Sequence, residues 1–325
     1  MLRELTYADA LREALREEML RDPRVILMGE EIGVFEGVYK VTRGLLKEFG
    51  PERVRDTPIS EAAIAGAAVG AALAGLRPVA EIMYMDFVTI CLDQIATNAA
   101  KMRFMSGGKL KVPFVLRTQY SLGRMHGAQH SQFYPSIFFQ VPGLEVVLPS
   151  TPYDAKGLLK ASIRDENPIV FVESGALYRT KGMVPEEEYV LPLGQCDIKR
   201  KGDDITIVAV SRVVGEALAA ASKLEEQGVA AEVIDPRTIQ PLDLNTIVES
   251  VKKTGRLIIA SDDVRSGGIG SEIAARVVEE AFDSLDAPIL RVASADMPIP
   301  FSPSLEQAYM PSAQKIIDAV KRLVG

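Results

Sequence analysis

The first apolar positions fall on a helical rhythm. Ala10, Leu11, Ala14 and Leu15 share one face, and Thr6 with Asp9 three residues later has the form of a helix N-terminus. Val25-Ile26-Leu27-Met28 breaks that rhythm: a continuous apolar run stopped by Gly29-Glu30-Glu31, it predicts a buried strand. From 61 to 75 nearly every residue is small, and the spacing predicts a helix. Short apolar runs at 79–83, 112–116, 144–148 and 169–172 follow, with helical stretches between most of them. Parallel strands need a crossover between neighbours, so this alternation predicts an α/β layer fold with a mostly parallel sheet.

A second series begins after Pro192. Residues 205–210, 231–234 and 257–260 read as strands. Residues 213–227 (closed by Gly228), 244–253 and 270–282 read as helices. At 325 residues the chain exceeds a usual single domain. The polar, proline-containing stretch 180–192 is the natural divide, so two α/β domains are expected, residues 1–185 and 186–325.

Composition narrows the function. A hydrophobic fraction of 47% with 25% charged residues is that of an ordinary globular protein. A formal charge of −7 argues against nucleic acid, because neutralising phosphates needs clustered Lys and Arg. The longest apolar run, 62–76, is too short to span a bilayer, so no membrane segment is expected. Cys91 and Cys196 are the only cysteines and neither sits in a CxxC, which suits a reducing compartment. Residues 1–20 lack the apolar core of a signal peptide and hold too many acids for a transit peptide. A cytoplasmic location is the expectation.

The most informative stretch is Ile59-Ser60-Glu61 with the helix behind it. Gly66, Gly70 and Ala74 fall four residues apart on one face, which would let another helix approach closely. A tightly packed core helix with a capping Glu in front explains the helix equally well. The only histidines, His126 and His130, share one short stretch, and a lone His is more often structural than catalytic. An HxxxH metal site would need a helical backbone there, against Gly123 and Gly127.

Glu61, Gly66, Ala67, Gly70 and Ala71 together form Glu-x4-Gly-Ala-x-x-Gly-Ala, which resembles the pyrimidine-domain signature of thiamine-diphosphate enzymes. The surrounding text resembles one branch, the β subunits of the decarboxylating component of 2-oxoacid dehydrogenase complexes. The segments that carry this are Asp56-Thr57-Pro58-Ile59-Ser60-Glu61, Ala74-Gly75-Leu76-Arg77-Pro78, Gly127-Ala128-Gln129-His130-Ser131-Gln132, Val141-Pro142-Gly143-Leu144 and Asp235-Pro236-Arg237-Thr238-Ile239. They run in one order from about Leu5 to the C-terminus. The fold implied is a thiamine-enzyme pyrimidine domain followed by a transketolase C-terminal-like domain.

The resemblance implies roles that chemistry supports. Thiamine diphosphate supplies the hard step, and a carboxyl at Glu61 would share a proton with its pyrimidine nitrogen, for which partial desolvation is needed. Phe87 matches the aromatic residue stacked on the pyrimidine; Met83 and Ile59 match cofactor-lining residues. Ordinary core is the plain alternative for all three. Tyr84 and Met85 depart from the family's frequent Thr-Phe. His130 matches the histidine placed where substrate and lipoyl group arrive, able to move a proton near neutral pH. Arg124 and His126 are candidates for specificity only. A structural potassium is implied at Phe114, Ser162, Asp165 and Asn167, with a plain turn as the equal alternative. Ser266-Gly267-Gly268-Ile269-Gly270 reads more readily as a tight strand-to-helix turn than as a phosphate loop.

No Gly-Asp-Gly occurs, so the magnesium that grips the diphosphate is expected on a second, α subunit. The resemblance implies an α2β2 heterotetramer serving a lipoyl acyltransferase core, with a 2-oxoacid as substrate. Pyruvate, branched-chain 2-oxoacids and acetoin stay open. So do the C-terminal half of a split transketolase and a non-catalytic scaffold subunit.

Overall fold

The alternation of apolar runs resolves into two parallel sheets, each with its own core. The computed structural model describes residues 1–324. One unit comprises Met1–Ser121 with Ile137–Leu193; the other comprises Leu122–Ser136 with the chain from Gly194 onward. Residues 122–136, which bear both histidines, therefore belong with the second unit.

The first unit contains, in order, β1 (Leu2–Thr6), α1 (Tyr7–Arg21), β2 (Val25–Gly29), α2 (Leu45–Phe49), β3 (Val54–Asp56), α3 (Glu61–Leu73) and β4 (Arg77–Ile82). Then come α4 (Ala100–Met105), β5 (Val115–Tyr120), β6 (Glu145–Val147), α5 (Pro152–Arg164), β7 (Ile169–Ser174) and β8 (Lys181–Pro185). Its parallel strands lie in the order β6-β7-β5-β4-β2-β3, and β1 pairs antiparallel with β8. Every residue of β2, β5 and β7 is buried. A sheet covered on both faces wants such runs without alternation.

Thr6 caps α1, its hydroxyl accepting the Asp9 N–H at 3.1 Å, and Thr151 caps α5 by the same bond from Asp154 at 3.1 Å. These two helices cover one face of the sheet, with Leu11, Leu15 and Met19 joining Leu158, Leu159 and Ile163 in one cluster. Lys156 is fully buried between them, and its Nζ is satisfied there by Glu13 and Glu17 at 2.6 and 2.7 Å.

Two expectations shift. The strand expected at 112–116 begins later, at Val115; Val112 and Phe114 are buried and bonded to Glu166 and Ile169, but the Phe114 N–H turns back to the Val112 carbonyl, so the regular ladder starts only beyond them. The small-residue stripe of α3 meets the helical segment Gln94–Ala99 at its first position and is open beyond it. A Cβ at Gly66 would touch the Gln94 side chain, whereas one at Gly70 would meet nothing within 4 Å, and Ala67, Gly70 and Ala74 are exposed.

The second unit contains β9 (Asp197–Arg200), β10 (Ile205–Ala209), α6 (Val213–Glu225), β11 (Ala231–Asp235), β12 (Thr238–Gln240) and α7 (Leu244–Thr254). It continues with β13 (Leu257–Val264), α8 (Ile269–Ala281), β14 (Leu290–Ser294), α9 (Pro303–Tyr309) and α10 (Ala313–Val324). Its sheet runs β14-β13-β10-β11-β9, parallel except for β9. Among the described residues no helix is long and apolar enough to cross a membrane.

Candidate active site

In the first sheet β2 and β3 build outward on one side, and the chain then crosses through α3 to lay β4 on the other side of β2. Such a reversal opens a crevice at the carboxyl ends of the strands, the general ligand position of open α/β sheets. Three carboxylates are stationed there. Glu30 directly follows β2, Glu61 opens α3, and Glu81 lies in β4 opposite Gly29. Gly29 is needed at that point, because a Cβ would come within 2.9 Å of the Glu81 carbonyl.

Glu61 is buried, with 7% of its surface exposed. Burial raises the proton affinity of Glu30, and the charges of Glu61, Glu81 and Glu31 add to it. Glu61 is also felt at Cys91, whose thiol is pushed up to about 12, mainly by burial. Ile59, two residues ahead of Glu61, is 82% exposed, which removes ordinary core as its explanation. Met83 and Phe87 are half-buried. The turn Met85–Cys91 that bears Phe87 packs against α3. Phe87 also meets Tyr84 edge-on, with centroids 5.7 Å apart.

Behind these residues is a polar network that sequence reasoning missed. Arg117 of β5 binds Glu81 at 2.7 Å through Nη1 and grips both oxygens of Glu173 in β7 at 2.7 and 2.9 Å. The Tyr178 hydroxyl donates to Glu173 at 2.8 Å. Burial works against the guanidinium's charge, but Glu173 and Glu81 outweigh it and hold its proton affinity above the ordinary range. Gln119 donates to the Met83 carbonyl at 3.2 Å and to the Tyr39 hydroxyl at 3.3 Å, and Tyr39 donates to Tyr84 at 2.9 Å.

The histidines stand on a loop of the second unit, not on a helix, with Gly123 and Gly127 at positive φ. Both rings are half-buried. Burial lowers the proton affinity of His126, the charges of Arg124 and His130 lower it further, and Glu306 opposes them.

At the remaining candidate loop, the Phe114 carbonyl accepts from Ile169 at 2.8 Å and that of Asp165 accepts from Arg77 at 2.8 Å. The Ser162 hydroxyl bonds the Leu158 carbonyl at 2.8 Å, and the Asn167 amide bridges Arg103 and Glu145. The stretch 266–270 is a tight turn into α8, with the Ile269 N–H already taken by the Asp263 carboxylate. Among the described residues no group of three His, Cys, Asp or Glu side chains converges as a metal set.

Comparison with known proteins adds an independent line. Residues 3–181 match the pyrimidine binding domain of transketolase, and residues 194–316 match its C-terminal domain. The chain is 46% identical to the β subunit of acetoin:2,6-dichlorophenolindophenol oxidoreductase of Bacillus subtilis, covering 100% of this chain and 98% of that one. It is 47% identical to the 2-oxoisovalerate dehydrogenase β subunit of the same organism, over 98% of both. Against the pyruvate dehydrogenase E1 component β subunit of Rhizobium meliloti it is 48% identical, over 98% of this chain and 69% of the other. The chain belongs to the β subunits of 2-oxoacid dehydrogenase E1 components. Membership brings thiamine diphosphate as the cofactor of the assembled enzyme and an α chain as partner. A split-gene transketolase shares the fold, with a TM-score of 0.81 at 22% identity over 98% of each chain.

Proposed function

We propose that this chain is the β subunit of a pyruvate dehydrogenase-type enzyme, active only with its α subunit in an α2β2 heterotetramer. The enzyme decarboxylates a 2-oxoacid and passes the acyl group to lipoyl groups of an acyltransferase core. The observation that carries this reading is the buried Glu61 at the sheet's switch point, preceded by the exposed, apolar Ile59. The donor set suits the pyrimidine end of thiamine diphosphate: a desolvated carboxyl for the ring nitrogen, and apolar surface at Ile59, Met83 and Phe87 for the ring face. When bound, the cofactor supplies the nucleophilic carbon and the electron sink. Glu61 holds the proton at the pyrimidine nitrogen; His130 moves one on the substrate side.

The exposed stripe Ala67, Gly70 and Ala74 of α3 supports a partner helix packed beside this end of the cofactor. We assign magnesium and the diphosphate to that α subunit. A potassium ion at Phe114, Ser162, Asp165 and Asn167 fits the second lone pair left on each bonded carbonyl. The pyrimidine-binding domain is assigned to 1–185 and the C-terminal domain to 186–325. A cytoplasmic location suits two free, buried thiols. Acetoin is the second substrate reading, favoured by full-length similarity to an acetoin-enzyme β subunit.

The decisive experiment is Glu61→Gln in the reconstituted α–β enzyme, because an amide cannot share the proton. Deuterium exchange at the thiazolium carbon should slow by ~100-fold or more, the range of a positioned acid–base group. Exchange at the parental rate would remove Glu61 from this role.

A further inference from the structure

We propose that Glu306 is a positioning residue for acyl transfer, holding the histidine loop in its working conformation without touching substrate. Glu306 lies in α9 of the second unit and is 2% exposed. Its two carboxylate oxygens divide between two backbone donors: Oε1 accepts the Gly123 N–H at 3.0 Å and Oε2 the Met125 N–H at 3.0 Å. The peptide of Arg124 is thus bracketed by one side chain from 183 residues away.

The bend it holds is one the chain does not favour by itself. Gly123 has φ +87° and Met125 φ +60°, and a left-handed methionine is sterically disfavoured without an outside constraint. Gly127 closes the turn at φ +73°, a conformation that favours glycine, and the Phe301 ring lies against that position within van der Waals reach. The loop therefore leans on the segment leading into α9 and is latched by α9 itself. His126 follows the latched residues directly, and the His130 N–H closes back on the Gly127 carbonyl at 3.5 Å. A buried carboxylate that spends both oxygens on loop N–H groups stiffens the loop; a solvated loop with the same side chains would sample many orientations of both imidazoles.

The inference rests on the reading of His130 given above, and the test separates the two. Glu306→Gln is prepared in the reconstituted enzyme; its amide keeps one acceptor but turns a donor toward the second N–H. Hydrogen exchange of the peptide spanning 122–127 should accelerate by about tenfold or more, with other second-unit peptides unchanged. Acyl transfer to lipoyl domain should fall about tenfold, as misplacement of a reacting group does, while dye-linked decarboxylation falls less. In combination with His130→Ala no further loss should appear, because both changes would disable one device.

Acyl transfer within twofold of the parent, exchange unchanged at 122–127, or losses that multiply in the double variant would each overturn the role of Glu306. If His130→Ala alone is without effect, the histidine assignment falls. Glu306→Gln then still decides: faster exchange with slower transfer keeps the latch, acting through another residue of the loop, and parental values remove it.

Discussion

The two units answer the same problem, buried carboxylates, in different ways. In the first, most of the paired acids are met by cations: Glu81 and Glu173 by Arg117, Glu18 by Arg164, and Glu13 with Glu17 by Lys156, while Asp154 is met by the Ser150 and Thr151 hydroxyls. In the second, Asp262 is paired with Arg212 and Glu232 with Lys253, but Asp263, Glu306 and Asp243 are met by backbone N–H groups of loops and helix starts. Cation pairs tie strand to strand and helix to helix, so they rigidify the sheet and the helices that cover it. N–H acceptors fix backbone conformation instead, which is what a loop presenting histidines requires. The first device fails when one partner leaves a charge stranded; the second fails by loosening a turn.

The largest effect is therefore expected at Arg117. Arg117→Ala strands both Glu81 and Glu173, the latter 1% exposed, and should lower the stability of the first unit by about 3–5 kcal/mol. Adding Glu173→Gln should recover part of that loss, because the stranded charge and not the missing contact dominates. Urea denaturation of the reconstituted enzyme, followed by Tyr signals of the first unit, reads both variants. A loss under about 1 kcal/mol would mean the pair is solvated, and the contrast between the units would collapse.

Arg117 also shows what the sequence concealed. Its partners stand 36 and 56 residues away on neighbouring parallel strands, and no local pattern announces a pairing that register creates. Glu306 is hidden in the same way, since its role exists only once α9 meets the 122–126 loop. By contrast α1, β2 and α3 were legible, because a capped periodic stretch or an unbroken apolar run needs no tertiary context. The ribbon β1–β8 and the strand β9 escaped because Leu2–Thr6 and Asp197–Arg200 mix charge with apolar residues, as exposed edges do. α10 is marked in the sequence by Ile316, Ile317 and Val320, which recur at helical spacing. Glu61 became a candidate through resemblance; what the fold contributes is the burial of its carboxyl near Glu30 and Glu81.

Asp263 tests the backbone-acceptor side of the contrast. Its carboxyl is buried and raised to about 6, mainly by that burial, although the Ile269 N–H favours the charged form. A carboxyl raised on folding gives stability that is whole below the unfolded value near 4 and is lost as pH rises through about 6. Asp263→Asn, which cannot ionise, should therefore gain on the parent by about 2 kcal/mol between pH 4 and pH 7. Denaturation midpoints of both proteins across that range give the difference directly. A gap that stays constant with pH would show the carboxylate to be fully compensated by its N–H partner.

Asp243 should show the smaller effect and the opposite sign. It caps α7, accepting the Thr246 N–H at 3.2 Å and the Thr246 hydroxyl at 2.7 Å, and also takes the Cys196 N–H at 3.0 Å, where the chain enters β9. Burial pushes its proton affinity up, but these donors outweigh burial and leave the carboxyl below its usual range. Stability from such a group is present above the unfolded value and is lost as pH falls through the folded one. Asp243→Ala should cost about 1–2 kcal/mol at pH 7, the upper part of the range for a lost cap, and the cost should shrink toward pH 3. Thr151→Ala in the first unit removes a cap of similar geometry that carries no charge itself, although its hydroxyl also meets the Asp154 carboxylate at 2.6 Å, and should cost about 1 kcal/mol with a weaker dependence on pH. If the two caps respond alike to acid, the charge on Asp243 contributes nothing beyond its hydrogen bonds. The second unit would then hold its loops by geometry alone.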